Sequence, residues 1–350
     1  MSNNSLGPPQ SQSGDLCDAC ADVFAEDSPI LGQLHNLNPF APSQQLTIGP
    51  VSRVWESKCP FCRLVSQATL EIQRNSNLTV EPNQVVAVQW YEKGGLPGFY
   101  ICLLGNGTNQ ETIISFTKVP QAWNSTISPG RSLACFRDIK QSQIDFDRVR
   151  SWLDRCDAEH TKCTPVSYQP GTPVSLIFPG LRVLRFIDVE ANCIVETDRY
   201  CRYMTLSYVW GSVAVSLRLT RASKPQLSQP GVLKQLSLSL PRTITDAMLL
   251  TKSLGQRYLW VDSLCLVQND PQDVQSGTAV MDLIYELSNL TIIAATGHNS
   301  EAGLPGVRDG SRPVNWKPQS LQVLPGVKMR VHTHLRSLLS ASVYSTRAWT

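Results

Sequence analysis

The sequence predicts an α/β fold in which a parallel sheet with helices on both faces follows a β-rich, cysteine-containing N-terminal region. Strand-like and helix-like segments alternate through residues 203–296. The strand segments are almost continuously apolar, which is typical of parallel strands that are covered on both faces. Before residue 140, the readable segments resemble strands. A length of 350 residues favours two domains.

The predicted domain organisation has four parts. Residues 1–14 are polar and rich in Pro, Gly and Ser, which predicts a flexible tail. Residues 15–145 form the β-rich region with two CxxC motifs, residues 146–180 a helix and linker, and residues 181–350 the second domain.

The N-terminal strands are predicted from apolar runs and a turn between them. VVAVQW (85–90) and FYICLL (99–104) flank the turn-rich EKGGLPG, which predicts a hairpin, and TIISFTKV (112–119) can pair beside it. A helix is predicted over 145–156, with Asp145 near its N-cap. Its apolar side comprises Ile144, Val149, Trp152 and Leu153.

The second half carries the alternating pattern. Its elements in order are a strand at 203–208, a helix opened by Pro241 and Asp246 and ended by Gly255, a strand at 257–267, a helix capped by Asp270 and Pro271, and a strand at 290–296. Ligand sites of parallel sheets lie beyond the carboxyl ends of the strands. That rule selects residues 207–211, 262–270 and 296–306.

Composition excludes several classes of protein. Hydrophobic residues make up 42% of the chain and charged residues 17%, which excludes a disordered or fibrous protein. A net charge of +3 without a Lys/Arg-rich run excludes a nucleic-acid binder. The apolar runs are too short for a membrane span, and the start does not resemble a signal peptide. We therefore expect a cytoplasmic protein whose eleven cysteines are reduced.

Two pairs of cysteines have metal-ligand spacing. Cys17 with Cys20, and Cys59 with Cys62, form two CxxC knuckles that can share one tetrahedral zinc ion. The alternative is two unconnected pairs of buried thiols. A weaker C-x3-H-x2-C cluster at Cys156, His160 and Cys163 either adds ligands to the two knuckles, forms a separate site or is a plain surface turn, the last being favoured.

Several residues at the predicted strand ends are candidates for binding. Asp262 either caps the turn that follows its strand or faces a ligand. Trp210, beside Ser207 and Gly211, either stacks on a ligand ring or covers the sheet. Cys265 can be taken for a nucleophile, but a core thiol is favoured because no histidine or helix N-terminus adjoins it in sequence.

Three segments together resemble a known family. LSYVWG (206–211), LPRTITDAMLLTKSLGQRYLWVDSLCLVQND (240–270) and MDLIYELSNLTIIAAT (281–296) are similar to the heterokaryon-incompatibility (HET) domain of filamentous fungi. The closing TRAWT (346–350) resembles the start of that family's Arg-x-Trp-Thr-x-Gln-Glu block. The family-motif candidates are Ser207, Trp210, Gly211, Asp262, Cys265, Gln268, Asp270, Arg347 and Trp349.

The resemblance implies a function in fungal self/non-self recognition, as a signalling module that triggers programmed cell death. Its partner would be an incompatibility factor or another copy of the chain. The family is also distantly similar to TIR domains, which implies a flavodoxin-like sheet and, as an alternative function, NAD hydrolysis by a glutamate. The family's Gln-Glu lies beyond Thr350, so we expect a domain that is incomplete at its C-terminal end and not an enzyme as it stands.

Overall fold

A computed structural model describes residues 15–25, 45–75, 78–93, 96–105, 107–118, 142–160, 169–211, 217–295, 297–312, 320–333, 335–340 and 342–346. The chain divides into two compact units. The first comprises residues 1–138 and 317–341, and the second comprises residues 139–316 and 342–350. Each unit is built around its own sheet.

The described strands are numbered in chain order. They are β1 (Gln45–Pro50), β2 (Val85–Lys93), β3 (Leu96–Leu103), β4 (Gly107–Lys118), β5 (Leu184–Asp188), β6 (Cys193–Thr197), β7 (Met204–Ser207), β8 (Tyr258–Trp260), β9 (Leu290–Ile293), β10 (Leu321–Leu324) and β11 (Val327–Thr333).

The described helices are numbered in the same way. They are α1 (Asp18–Val23), α2 (Val51–Glu56), α3 (Pro60–Asn75), α4 (Phe146–Glu159), α5 (Val174–Ile177), α6 (Lys224–Leu227), α7 (Val232–Gln235), α8 (Arg242–Ser253), α9 (Asp262–Cys265), α10 (Pro271–Ala279), α11 (Met281–Glu286) and α12 (Leu335–Ser340). A short 3₁₀ helix follows at Val343–Thr346. None of the described helices combines the length and the hydrophobicity needed to cross a bilayer.

The first unit contains a six-stranded sheet in the order β1-β2-β3-β4-β11-β10, and its described strand pairs are antiparallel. The predicted hairpin is confirmed, because β2 pairs with β3 and β3 with β4. Helix α3 packs on this sheet. Its fully buried side chains recur at helical spacing, so one apolar stripe faces the core: Phe61, Leu64, Val65, Ala68 and Ile72.

The second unit contains a five-stranded sheet in the order β6-β5-β8-β7-β9. Strand β7 runs parallel to β8 and β9, whereas β5 runs antiparallel to both β6 and β8. Side chains alternate between the two faces, so Leu259 and Trp260 join different apolar clusters. The sheet is therefore mixed.

The predicted fold class is wrong. The TIR-like, flavodoxin-like parallel sheet is replaced by one antiparallel and one mixed sheet. One cause is the hairpin of β5 and β6, which we did not predict. Its turn is closed by Asp188, whose carboxylate accepts the amides of Glu190 and Ala191, and by Asn192 at a φ of 52°. The NAD alternative loses its structural support with the TIR-like sheet.

The predicted strand over 257–267 is also shorter than expected. Strand β8 ends at Trp260, and α9 begins at Asp262. A continuous apolar run does not distinguish a buried strand from a buried helical turn, which explains the error.

Three predicted helix boundaries are confirmed. Asp145 caps α4 by accepting the amide of Arg148. Gly255, at a φ of 72°, directly follows the last capping residue of α8. Asp270 caps α10, with Pro271 at its first position. Trp152 lies on the exposed side of α4, whereas Ile144, Val149 and Leu153 pack against the core as predicted.

Replacing Asp188 by Asn tests the buried charge that closes the β5–β6 turn. Asp188 is 1% exposed and pairs with Arg257 at 2.8 Å. Burial alone would raise the pKa of Asp188, but hydrogen bonds from Arg257 and the two turn amides hold that pKa below its usual range. D188N should lower the free energy of unfolding by about 1–3 kcal/mol at pH 7.

The loss of stability in D188N should depend on pH, and the depressed pKa of Asp188 decides in which direction. Because the folded-state pKa is depressed, the carboxylate stabilises the fold above the unfolded pKa of about 3.9. The difference between wild type and D188N in urea unfolding should therefore shrink as the pH falls below about 4. D198N is the control, since the exposed Asp198 makes only a 3.8 Å ion pair with Arg199. A difference that grows in acid would contradict this account.

Candidate metal centre and predicted ligand-facing residues

The two CxxC knuckles converge on one point in the first unit. The four sulfur atoms of Cys17, Cys20, Cys59 and Cys62 all lie within 4.8 Å of one another. The carbonyl of Cys17 accepts the amide of Ala21 at the start of α1, and the carbonyl of Cys59 accepts that of Arg63 at the start of α3. Each knuckle thus places one cysteine before a helix and its partner in the first turn, which brings both thiols to the same side.

The distances fit a tetrahedral metal ion. Cys62 Sγ lies 3.4 Å from Cys20 Sγ and 3.6 Å from Cys17 Sγ. Four thiolates at a Zn–S distance of ~2.3 Å stand ~3.8 Å apart at the corners of a tetrahedron. A disulfide requires ~2.05 Å, and all four cysteines are free thiols. This set can hold one metal ion.

When the sulfurs share protons only with one another, the pKa values of Cys20 and Cys59 shift in opposite directions. Hydrogen bonds from Cys20 and Cys62 lower the pKa of Cys59, whereas hydrogen bonds with Cys59 and Cys62, together with burial, raise the pKa of Cys20. Ionising all four sulfurs in so small a volume requires a compensating cation. A bound divalent ion replaces the shared protons and supplies that charge.

The surroundings of the sulfurs add one positive charge and one polar anchor. Arg53 Nη2 lies 3.8 Å from Cys17 Sγ and donates to the carbonyl of Ile48 at 2.7 Å. Gly49 makes room for that guanidinium, because a Cβ there would lie 3.1 Å from Arg53 Nε. The amide of Cys59 donates to Ser57 Oγ at 3.2 Å. Such outer contacts orient metal ligands and adjust their charge.

The cluster is joined to the apolar core of the first unit. Cys20, Cys59 and Cys62 are buried, and Phe61 between the last two is 0% exposed. The Phe61 ring stands edge-on to Phe24 at 5.1 Å and to Phe99 at 5.4 Å. The knuckle that offers two metal ligands therefore also contributes a central aromatic side chain.

The second predicted metal cluster is only partly described. Cys156 lies in the last part of α4, and His160 follows as its C-cap. Cys163 lies outside the described residues. Within the ranges that the structure covers, the four-cysteine group is the set of potential metal ligands that meets a common centre.

Trp210 and Asp262 are brought together across the strand ends. Trp210 follows β7 and donates its indole N–H to both carboxylate oxygens of Asp262, at 3.1 and 3.0 Å. Asp262 Oδ1 also accepts the amide of Ser263 at 2.7 Å, at the start of α9. The guanidinium of Arg218 lies over the indole, 5.0 Å from the ring centroid. Arg218 was not predicted, because the segment after it is held by a tertiary contact in which the amide of Leu219 donates to the carbonyl of Ser263.

The backbone at Gly211 lies so close to Asn299 that a larger residue would not fit. Its φ is +72°, and a Cβ there would lie 2.4 Å from Asn299 Cβ and 3.0 Å from Asn299 Cα. The carbonyl of Trp210 accepts the amide of Ser300, and that of Ser207 accepts the amide of Ala294. The predicted ligand-facing turn is thus bound to the segment after β9.

The remaining candidates after β8 make contacts inside the fold. Cys265 is 1% exposed, and burial raises the pKa of its thiol to about 12, so it stays protonated at neutral pH. Gln268 Nε2 donates to the carbonyls of Asp262 and Leu266. Asp270 caps α10 and pairs with Arg221 at 2.9 Å.

The comparisons bear on these same segments. Residues 203–350 match a family model described as Heterokaryon incompatibility protein (HET). This part of the chain is therefore similar to the HET domain. Searches of curated proteins and of solved structures found no match to the chain.

The match includes the motif residues quoted from the sequence. Of the HET candidates, Ser207, Trp210, Gly211, Asp262, Cys265, Gln268 and Asp270 are described above. Arg347 and Trp349 fall outside the described residues. The HET match also covers β10 and β11, which belong to the sheet of the first unit.

Replacing Gly211 by Ala tests the contact between the turn after β7 and Asn299. G211A should lower the free energy of unfolding by about 2–4 kcal/mol, because a positive φ and an overlap with Asn299 act together. G231A is the matched control: Gly231 has a φ of +83° but open space around it, so a loss of about 1 kcal/mol is expected. If chemical denaturation gave the same loss of unfolding free energy for G211A and G231A, the contact with Asn299 would add nothing to the cost, which would contradict this account.

Proposed function

We propose that this chain acts in heterokaryon incompatibility as an intracellular signalling module whose activation leads to cell death. The observation that carries the proposal is the match of residues 203–350 to the HET family model. That match supports a function related to heterokaryon incompatibility in general. The partner we propose is an incompatibility factor or a second copy of the chain.

The described motif residues favour a signalling function over a catalytic one. Trp210 and Asp262 satisfy each other, and Gln268 and Asp270 are bound to their own loop and helix. Cys265 is buried and protonated, which is unsuited to a nucleophile. The described cysteines form no disulfide bonds, which supports a location in the reducing cytoplasm.

We further propose that Cys17, Cys20, Cys59 and Cys62 bind one structural zinc ion. A closed set of four thiolates with no position left for water is typical of structural zinc sites. Bound zinc would supply a fixed cross-link between the two knuckles. The chain's own part is to hold the sulfurs at near-tetrahedral spacing and to exclude water from three of them.

Expression in a living fungus tests the signalling proposal. Induction of the wild-type chain in a filamentous fungus should increase the fraction of hyphal compartments that take up a vital dye. Trp210→Phe removes the indole N–H that Asp262 accepts, so it should reduce that fraction severalfold. Trp152→Phe is the matched control, because Trp152 is 57% exposed on α4 and should retain the wild-type effect.

One result of this experiment would exclude the signalling proposal. It is wrong if induced wild-type chain kills no more compartments than an empty promoter does at equal expression. Circular dichroism of the purified variants checks that W210F and W152F are both folded.

Metal analysis tests the zinc proposal. The purified chain should contain about one zinc per molecule, and C17S or C59S should lose it. C102S is the matched control, since Cys102 is buried in β3 away from the four-cysteine group and should leave the zinc content unchanged. Equal zinc in wild type and C59S would exclude this site.

A further inference from the structure

Helix α3 connects the four-cysteine group to strands from the far end of the chain. Cys62 lies in its first turn, and its length contacts β4, β10 and β11 within the first unit. Strands β10 and β11 come from residues 321–333, inside the HET match. One helix therefore carries a potential metal ligand at its start and part of the HET domain along its side.

The contact between α3 and these strands is apolar and buried. Val323 is 4% exposed, Val327 1% and Met329 0%. They belong to the same core cluster as Cys20, Cys62 and Phe61. The apolar side chains that hold β10 and β11 on the helix are thus continuous with those that surround the sulfurs.

Strands β10 and β11 depend on their packing against α3 for stability. Strand β11 pairs with β4, for example Met329 with Phe116 and Val331 with Ile114, but β10 is a four-residue strand at the edge of the sheet. A short edge strand gains little from one line of hydrogen bonds and needs a packed face for stability. Helix α3 provides that face.

The start of α3 depends in turn on the four cysteines. The sulfur of Cys62 meets Cys17 and Cys20 at α1, a helix of six residues. So short a helix is not stable without tertiary contacts. Without an ion, the two knuckles are joined by thiol contacts of 3.4 and 3.6 Å. With an ion, they are joined by four metal–sulfur bonds, and the binding free energy becomes folding free energy.

We infer that the metal state of the four-cysteine group controls whether the HET segment 321–333 stays docked on helix α3. The inference rests on the proposed zinc site and adds a regulatory consequence to it. Loss of the ion loosens the start of α3, uncovers Val323, Val327 and Met329, and releases β10 and β11. The metal content of the N-terminal region thereby determines whether residues 321–333 stay packed on α3.

Hydrogen exchange followed by mass spectrometry tests this on the full chain. Zinc-loaded wild type is compared with the same protein after a strong zinc chelator and after zinc is added back. Removal of zinc should raise amide exchange about tenfold or more in peptides covering 60–75 and 321–333. Peptides covering 242–253 in the second unit should be unchanged, and zinc should restore the protection.

Two variants separate the metal from the cysteine substitution itself. C59S should show the chelated pattern and not respond to zinc, whereas C102S should behave as wild type. If C59S does not fold, the chelation and add-back series on wild type still decides the question.

The failures of the two proposals are distinguishable. A chain that binds no zinc excludes the metal site and, with it, this coupling. A chain that binds zinc but keeps full protection of 321–333 after its removal retains the site and excludes the coupling. Equal loss of protection in 321–333 and 242–253 also overturns the inference, because the effect would then be general unfolding.

Discussion

Four thiols confined within 4.8 Å of one another are the constraint on which the first unit depends. Buried sulfurs at this spacing cannot all ionise without a cation, and the cation that fits them also ties two chain segments together. The knuckle at Cys59 and Cys62 places Phe61 among the aromatic rings of the sheet. From that point α3 runs across strands that come from both ends of the chain.

The second unit relies on carboxylates instead, of which Asp188 and Asp246 are buried. Each binds an arginine and at least one backbone amide, which offsets the cost of removing its charge from water. Asp188 closes the β5–β6 turn with Arg257, and Asp246 holds the amide of Leu304 with Arg308. Asp273 accepts Arg185 and the amide of Val267. Of these contacts, the one between Asp273 and Val267 lies in the loop that carries the motif residues Gln268 and Asp270.

The same geometry limits what the motif residues do. Because Trp210 and Asp262 bond to each other, the carboxylate is engaged in joining two strand ends. Gly211 then allows the turn to lie against Asn299. In the proposed signalling function, this compact joint is the part of the HET-like segment that a partner would have to recognise or displace as a unit.

Local signals in the sequence were sufficient where one short segment decides the structure. Asp145, Gly255 and Asp270 mark helix ends through their own side chain or backbone freedom, and the β2–β3 hairpin follows from two apolar runs around a turn. The hairpin signal at Asp188 and Asn192 was present but was missed. The apolar run after Tyr258 was misread, since period alone does not separate a strand from a buried helical turn.

The sequence by itself determined the HET motifs, the helix caps and the ligand-like spacing inside each CxxC knuckle. Only the tertiary structure decided that the two knuckles meet, that β5 and β6 make the second sheet mixed, and that β10 and β11 join the first sheet. Spacing within a few residues is set by local backbone geometry. Which distant strands pair depends on burying apolar faces across hundreds of residues, and no local pattern records that choice.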